Sequence, residues 1–214
     1  PALYLQKAAA QLQRGDSRMA LQELTEAFRL LGSRAPAEVS DPEQLARLAM
    51  LVLFQNRRYR QALEYARRLL RASYSDAQAH GVMAECLAAL REFRKARNHY
   101  QRAIELEPAR LELRYGLASV LWEQRDYKRL AEAAERIRRL NPDDPYAAYY
   151  GALTLPSLGA DFKKTIPALQ EQLRRHGPDP HLMTSLAREY LRADLPKLAH
   201  GWLERTLERT AGEE

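Results

Sequence analysis

The sequence predicts an all-α solenoid of about six helix-turn-helix repeats. Three observations predict it. One step of 34 residues recurs along the chain, apolar residues within each step fall three and four apart, and prolines punctuate the joints. Tyr59, Phe93 and Tyr127 keep the 34-residue step, as do Leu53, Leu87, Leu121 and Leu155. Ala84, Ala118 and Ala152 keep it too, with Met50 one step earlier. Ala62 and Ala96 share it, and so do Pro108 and Pro142.

Residues 77–110 show what one step contains. Met83, Ala84, Leu87 and Leu90 form one helical stripe, and Phe93, Ala96, Tyr100, Ala103 and Leu106 form a second. The polar Arg91-Glu92 between them allows a short turn. Each step therefore reads as two antiparallel helices. Neither helix alone can bury its stripe; stacking successive pairs buries both.

The period and its small/large pattern resemble the tetratricopeptide repeat. That family's first helix carries a large residue, a large–small pair and another large residue. Its second carries alanine and then an aromatic, and proline follows. Met83-Ala84, Leu87, Ala96, Tyr100, Ala103 and Pro108 fit. Leu117-Ala118, Leu121, Tyr127, Ile137 and Pro142 also fit, with Leu130 and Ala134 replacing the usual alanine and aromatic. Alanine lets two backbones approach, and proline ends a helix sharply. The resemblance implies a right-handed α-α superhelix.

On this reading residues 1–214 are a single array. Repeats fall at about 1–34, 43–76, 77–110, 111–144, 145–180 and 181–210. Pro36 and Pro42 mark an insertion at 35–42, expected at a loop edge, and the last residues, 211–214, are expected to fray. Asp41-Pro42 and Asn141-Pro142-Asp143-Asp144-Pro145 carry helix stop and start signals. Repeat five is irregular: Pro156 falls in its first helix, Pro167 near the start of its second, and Pro156 to Asp161 has loop chemistry. It reads as a degenerate packed repeat, or as a local change of superhelix curvature or a lip that reshapes a groove.

Composition excludes several classes. Hydrophobic residues make up 46% and charged residues 29%, a globular balance. No segment reaches the roughly 18 apolar residues that span a bilayer. The chain starts at Pro1, so the lack of a signal peptide or anchor is read only of these residues. A soluble protein at the cytoplasmic or periplasmic face of a bacterial envelope is expected. The single Cys86 can form no internal disulfide and reads as a small core residue. The net charge of +6 is dispersed, with no like-charge block of the kind that marks a nucleic-acid arm. Arg57-Arg58, Arg67-Arg68, Arg138-Arg139 and Arg174-Arg175 read as a solvated outer face, a phosphate- or lipid-facing edge being the alternative. His80, His99, His176, His181 and His200 form no HExxH, and no phosphate loop, nucleophile elbow or dinucleotide fingerprint is present. No enzyme activity, metal or cofactor is expected.

The resemblance further implies that first helices line a concave groove holding a partner segment. Position by position, the second repeat offers Arg47, Leu51, Phe54 and Gln55, and the third Gln78, Gly81, Glu85 and Ala88. The fourth offers Glu112, Tyr115, Ser119, Trp122 and Glu123. The fifth offers Tyr146, Tyr149, Tyr150 and Leu153, and the sixth His181, Thr184, Arg188 and Arg192. The lysines and asparagines with which some family members clamp a terminal carboxylate are absent from these positions. Tyr115, Trp122, Tyr146, Tyr149 and Tyr150 make the C-terminal half aromatic, which suits an apolar or amphipathic segment of another protein. Packing of these aromatics between repeats is the alternative. The expected function is a protein–protein interaction scaffold, in a bacterial envelope, pilus, secretion or exopolysaccharide assembly. A self-associating homo-oligomeric module and an RNA-binding helical repeat are the alternatives, although no nucleic-acid partner is expected.

Overall fold

A computed structural model of the chain describes residues 1–31 and 41–211. Twelve α-helices occupy these residues, and the fold is the all-α solenoid the period predicts. The pairs are α1 (Ala2–Gln13) with α2 (Ser17–Leu31), α3 (Pro42–Gln55) with α4 (Tyr59–Ala72), and α5 (Ala77–Ala89) with α6 (Phe93–Leu106). α7 (Leu111–Glu123) and α8 (Tyr127–Leu140) follow, then the pairs α9 (Pro145–Thr154) with α10 (Phe162–His176) and α11 (Pro180–Arg192) with α12 (Pro196–Ala211). Packing divides the chain into two compact units, Pro1–Val120 and Leu121–Glu214. Most of the 35–42 insertion, and the end from Gly212, lie outside the described residues.

Every pair turns in the same way. Gly15, Arg57, Arg91, Arg125, Gly159 and Asp194 each hold positive φ, between 56° and 81°. At each, the residue's N–H reaches the carbonyl three back, and the next N–H reaches the carbonyl five residues before itself. For Arg91 these are Arg91 N–H to Ala88 O at 2.9 Å and Glu92 N–H to Leu87 O at 2.8 Å. Such paired bonds satisfy carbonyls that a helix end leaves open. Aspartates start the helices in turn. Asp41, Asp76, Asp144 and Asp179 cap α3, α5, α9 and α11, each accepting from backbone N–H groups one turn ahead.

The first unit is held by alanines at close approaches. Ala8, Ala20, Ala49, Ala62, Ala66, Ala84, Ala96 and Ala103 have no exposed surface. The Tyr100 ring lies so near the α7 backbone that a Cβ on Gly116 would meet it at 2.4 Å. One polar group is sealed in with them. His80 is 1% exposed, and its Nε2 lies 3.1 Å from the Tyr74 carbonyl. A carbonyl only accepts, so Nε2 carries the proton. Nδ1 of His80 then accepts from Nδ1 of His99, 2.9 Å away.

The second unit departs from the regular pattern at α9. Pro156 has no N–H for the Ala152 carbonyl, and Leu155 N–H turns to that carbonyl instead, three residues back. The α-helix therefore stops at Thr154, and a 3₁₀ turn at Pro156–Leu158 follows, closed by Gly159. Pro156 thus lies beyond the first helix rather than within it, whereas Pro167 does sit inside α10. Glu189, fully buried, anchors this stretch. It accepts from Thr165 Oγ1 on α10 and from Arg192, whose guanidinium also reaches the Ala160 carbonyl at 3.3 Å.

Two predictions follow from this framework. Arginine in the left-handed region carries a Cβ clash that glycine lacks, partly offset by glycine's greater freedom when unfolded. Arg91→Gly should raise unfolding free energy by about 0.5–1 kcal/mol in urea titrations, and Arg91→Val should lower it. The second concerns the histidines. Burial holds both below the ordinary value. Arg102 adds to this at His80 against the opposing pull of the Tyr74 carbonyl and Asp76, and His80 and Arg67 add to it at His99. The folded state thus resists a proton that the unfolded chain takes up near pH 6.5. Their stabilisation is complete above that pH and lost below it, with a slope of at most about 1.4 kcal/mol per pH unit for each histidine. Stability measured from pH 7.5 to 5 should fall in the wild type, and a His80→Gln, His99→Gln variant should lose that slope.

Candidate functional site

Each first helix leaves one stripe uncovered. On α3 the stripe comprises half-buried Arg47, Leu51 and Phe54 with exposed Gln44 and Gln55. On α5, where nearly every other residue is buried, it comprises Gln78, Glu85 and Ala88. On α7 it passes through Glu112, Tyr115 and Ser119. These three helices belong to the first unit up to Val120. α5 and α7 adjoin closely, since a Cβ on Gly81 would sit 3.0 Å from Leu113. Gly81 is itself buried and presents nothing to a partner.

Arg47 on this face is already engaged. Arg47 pairs with Asp76 at 2.7 Å and donates to Gln78 at 3.1 Å, tying α3 to the start of α5. Burial alone would raise the Asp76 carboxyl. The Arg47 guanidinium and the Ala79 and Gln78 N–H groups outweigh it and hold the group below the usual carboxylate range. Arg47 thus acts as a clamp between repeats, a role that helical spacing could not reveal because Asp76 lies in the joint. Glu85 is exposed, yet its carboxyl is raised by partial desolvation against the opposing pull of Arg110. Phe54 leans on Tyr59 with ring centroids 6.3 Å apart.

In the second unit the aromatics divide by role. Trp122 packs against the unit's core and meets Tyr127 at 5.7 Å and His181 at 5.4 Å, both edge-on. Tyr149 also packs against that core. It meets Tyr150 at 5.4 Å and His176 at 5.7 Å, and its hydroxyl donates to Asp179 at 3.2 Å. Burial, then the Asp179 carboxylate, pushes the Tyr149 phenol well above its ordinary value. Leu153 is 3% exposed and belongs to the core. Tyr146, 52% exposed, and Arg188 and His181, both exposed, are the predicted positions most open to a partner here, with Thr184 half-buried between the last two. Arg192 is taken up by Glu189 at 2.8 Å.

The second helices carry the charged face. Arg67 pairs with Glu64, Arg138 and Arg139 with Glu135, and Arg174 and Arg175 with Glu171. The two arginines hold the Glu171 carboxyl down to about 2 through their hydrogen bonds. Paired arginines on exposed helices make a solvated face rather than a set of cations aimed at one phosphate. α12 is different: Leu195 ahead of it, and Leu198, Leu203 and Leu207 along it, are exposed.

The site offers little reactive chemistry. Cys86 has no exposed surface, and burial, then Glu85, pushes its thiol up to about 12, far from a reactive thiolate. Among the described residues no cluster of three or more His, Cys, Asp or Glu side chains could hold a metal ion. No described helix is long and apolar enough to cross a membrane.

Comparison with known proteins matches this architecture. The tetratricopeptide-repeat family model matches residues 48–93 and 83–148. No curated protein matches the chain. Among solved structures, MamA (residue 41 to the end) from Desulfovibrio magneticus RS-1 superposes with a TM-score of 0.67 at 20% identity, covering 82% of this chain and 98% of that one. A tetratricopeptide repeat protein from Parabacteroides merdae ATCC 43184 superposes with a TM-score of 0.72 at 17% identity, covering 97% of this chain and 78% of that one.

Proposed function

The chain belongs to the tetratricopeptide-repeat family, and on that premise we propose that it is a protein–protein interaction scaffold holding a partner segment against the uncovered faces of its first helices. The carrying observation is the run of uncovered stripes on α3, α5 and α7. It combines apolar patches at Leu51, Phe54, Ala88 and Tyr115 with polar groups at Gln55, Gln78, Glu85 and Ser119. Such a surface suits an amphipathic segment, whose apolar side gains burial while its polar side meets Glu85 and Gln78. Tyr146, Arg188 and His181 form the corresponding open positions of the second unit. The bacterial sources of the similar structures support a bacterial setting, and assemblies for pili, secretion or exopolysaccharide export are the class proposed.

Exposed positions make the cleanest test, because changing them leaves the core alone and costs little stability. Glu85→Arg with Ser119→Arg should abolish capture of the partner from lysate of the native organism, read by mass spectrometry, with helical content unchanged. Tyr146→Ala with Arg188→Ala tests the second unit in the same way. Retention of one protein by the wild type and both variants alike would move binding off the first helices.

The exposed leucines of α12 favour a second reading, self-association through that face. Sedimentation should then show mass rising with protein concentration, and Leu198→Glu with Leu207→Glu should hold the chain monomeric. A constant mass would remove this reading.

A further inference from the structure

The early end of α9 opens a cleft among α8, α9 and α10 in the second unit, with a volume of about 440 Å³. This lies within the range of about 300–1,000 Å³ typical of small ligand sites. Its walls are small and apolar, with Ala131 on α8, Ala148 and Gly151 on α9, and Ala168 on α10. Leu155 and exposed Leu158, at the 3₁₀ turn, complete one side. Gln172 also lines the cleft. It is 6% exposed, and its Oε1 has no hydrogen-bond partner among the described residues. A buried acceptor left open costs free energy, which a donor entering the cleft would recover.

The mouth has a charge bias. Glu135 and Glu171 line the cleft, and each is held by two arginines, Arg138 with Arg139 and Arg174 with Arg175. Four positive charges thus surround two negative ones, leaving an excess that favours carboxylates on whatever approaches.

We propose that this cleft is a docking site separate from the first-helix faces, and that it takes a tryptophan side chain carried on an acidic segment of a partner protein. The indole fills apolar space between alanine walls. Its N–H, which only donates, meets Gln172 Oε1. Acidic neighbours on the segment meet the arginine excess.

The test uses the full chain with labelled alanine methyls and side-chain amides, titrated with the blocked peptide Glu-Glu-Trp-Glu-Glu and followed by NMR. Saturable shifts are expected at Ala131, Ala148, Ala168 and the Gln172 amide, weakening as salt is raised. A Cβ on Gly151 meets nothing within 4 Å, so Gly151→Leu fills the cleft without a backbone clash and should abolish these shifts. Gln172→Leu should weaken the peptide roughly tenfold, the loss of about one hydrogen bond, while its unfolding midpoint stays level or rises. A peptide with phenylalanine in place of tryptophan should bind wild type and Gln172→Leu alike. Shifts confined to other helices, undiminished binding to Gly151→Leu, or no saturable shift with the tryptophan peptide would each overturn the proposal.

Discussion

Each helix pair depends on one residue held at positive φ. The left-handed residue reverses the chain so that the second helix runs back along the first, and its two backbone bonds close the first helix's open carbonyls. Only after that reversal can the two apolar stripes of a pair meet, and only paired helices can stack. Three of the six positions are arginine and one is aspartate, so the turn persists where glycine would be the least strained choice. Tertiary packing outweighs the local cost.

Small residues set how closely the helices then approach. Alanines at the crossings have no exposed surface, and Gly116 leaves room for the Tyr100 ring against the α7 backbone. With the large side chains and the alanines buried in the pairs, first helices retain only a narrow uncovered stripe. The second helices keep a broad charged face in which arginines pair with glutamates. The uncovered stripes and the solvated charged face are thus separated by the same packing that makes the solenoid.

Where the pattern lapses, the surface changes. Pro156 denies α9 its last turn, and a cleft opens beside it. The buried Glu189, with Thr165 and Arg192, holds this irregular stretch in place from the other side. An irregular repeat is therefore packed and at the same time a source of new surface.

The period and the helix pairs were legible in the sequence because helical spacing makes residues three and four apart share a face; the first-helix positions offered to a partner came from the resemblance to the tetratricopeptide repeat. Asp41-Pro42 and Asp144-Pro145 could be read as helix starts for a similarly local reason. What spacing leaves undecided is which neighbour meets a side chain from the same face. Trp122 and Tyr149 stand on the predicted stripes, yet His181, His176 and Asp179, distant in sequence, fold against them. Arg47 is likewise drawn into the joint by Asp76, and the unpaired acceptor of Gln172 gains its meaning only from the cleft around it. The sequence by itself determined the helices and their pairing, because these rest on local periodicity and backbone chemistry, while the outward groups of the first helices followed from the resemblance. Tertiary structure alone decided which of those outward groups stay available, because availability depends on contacts made across the stacked helices.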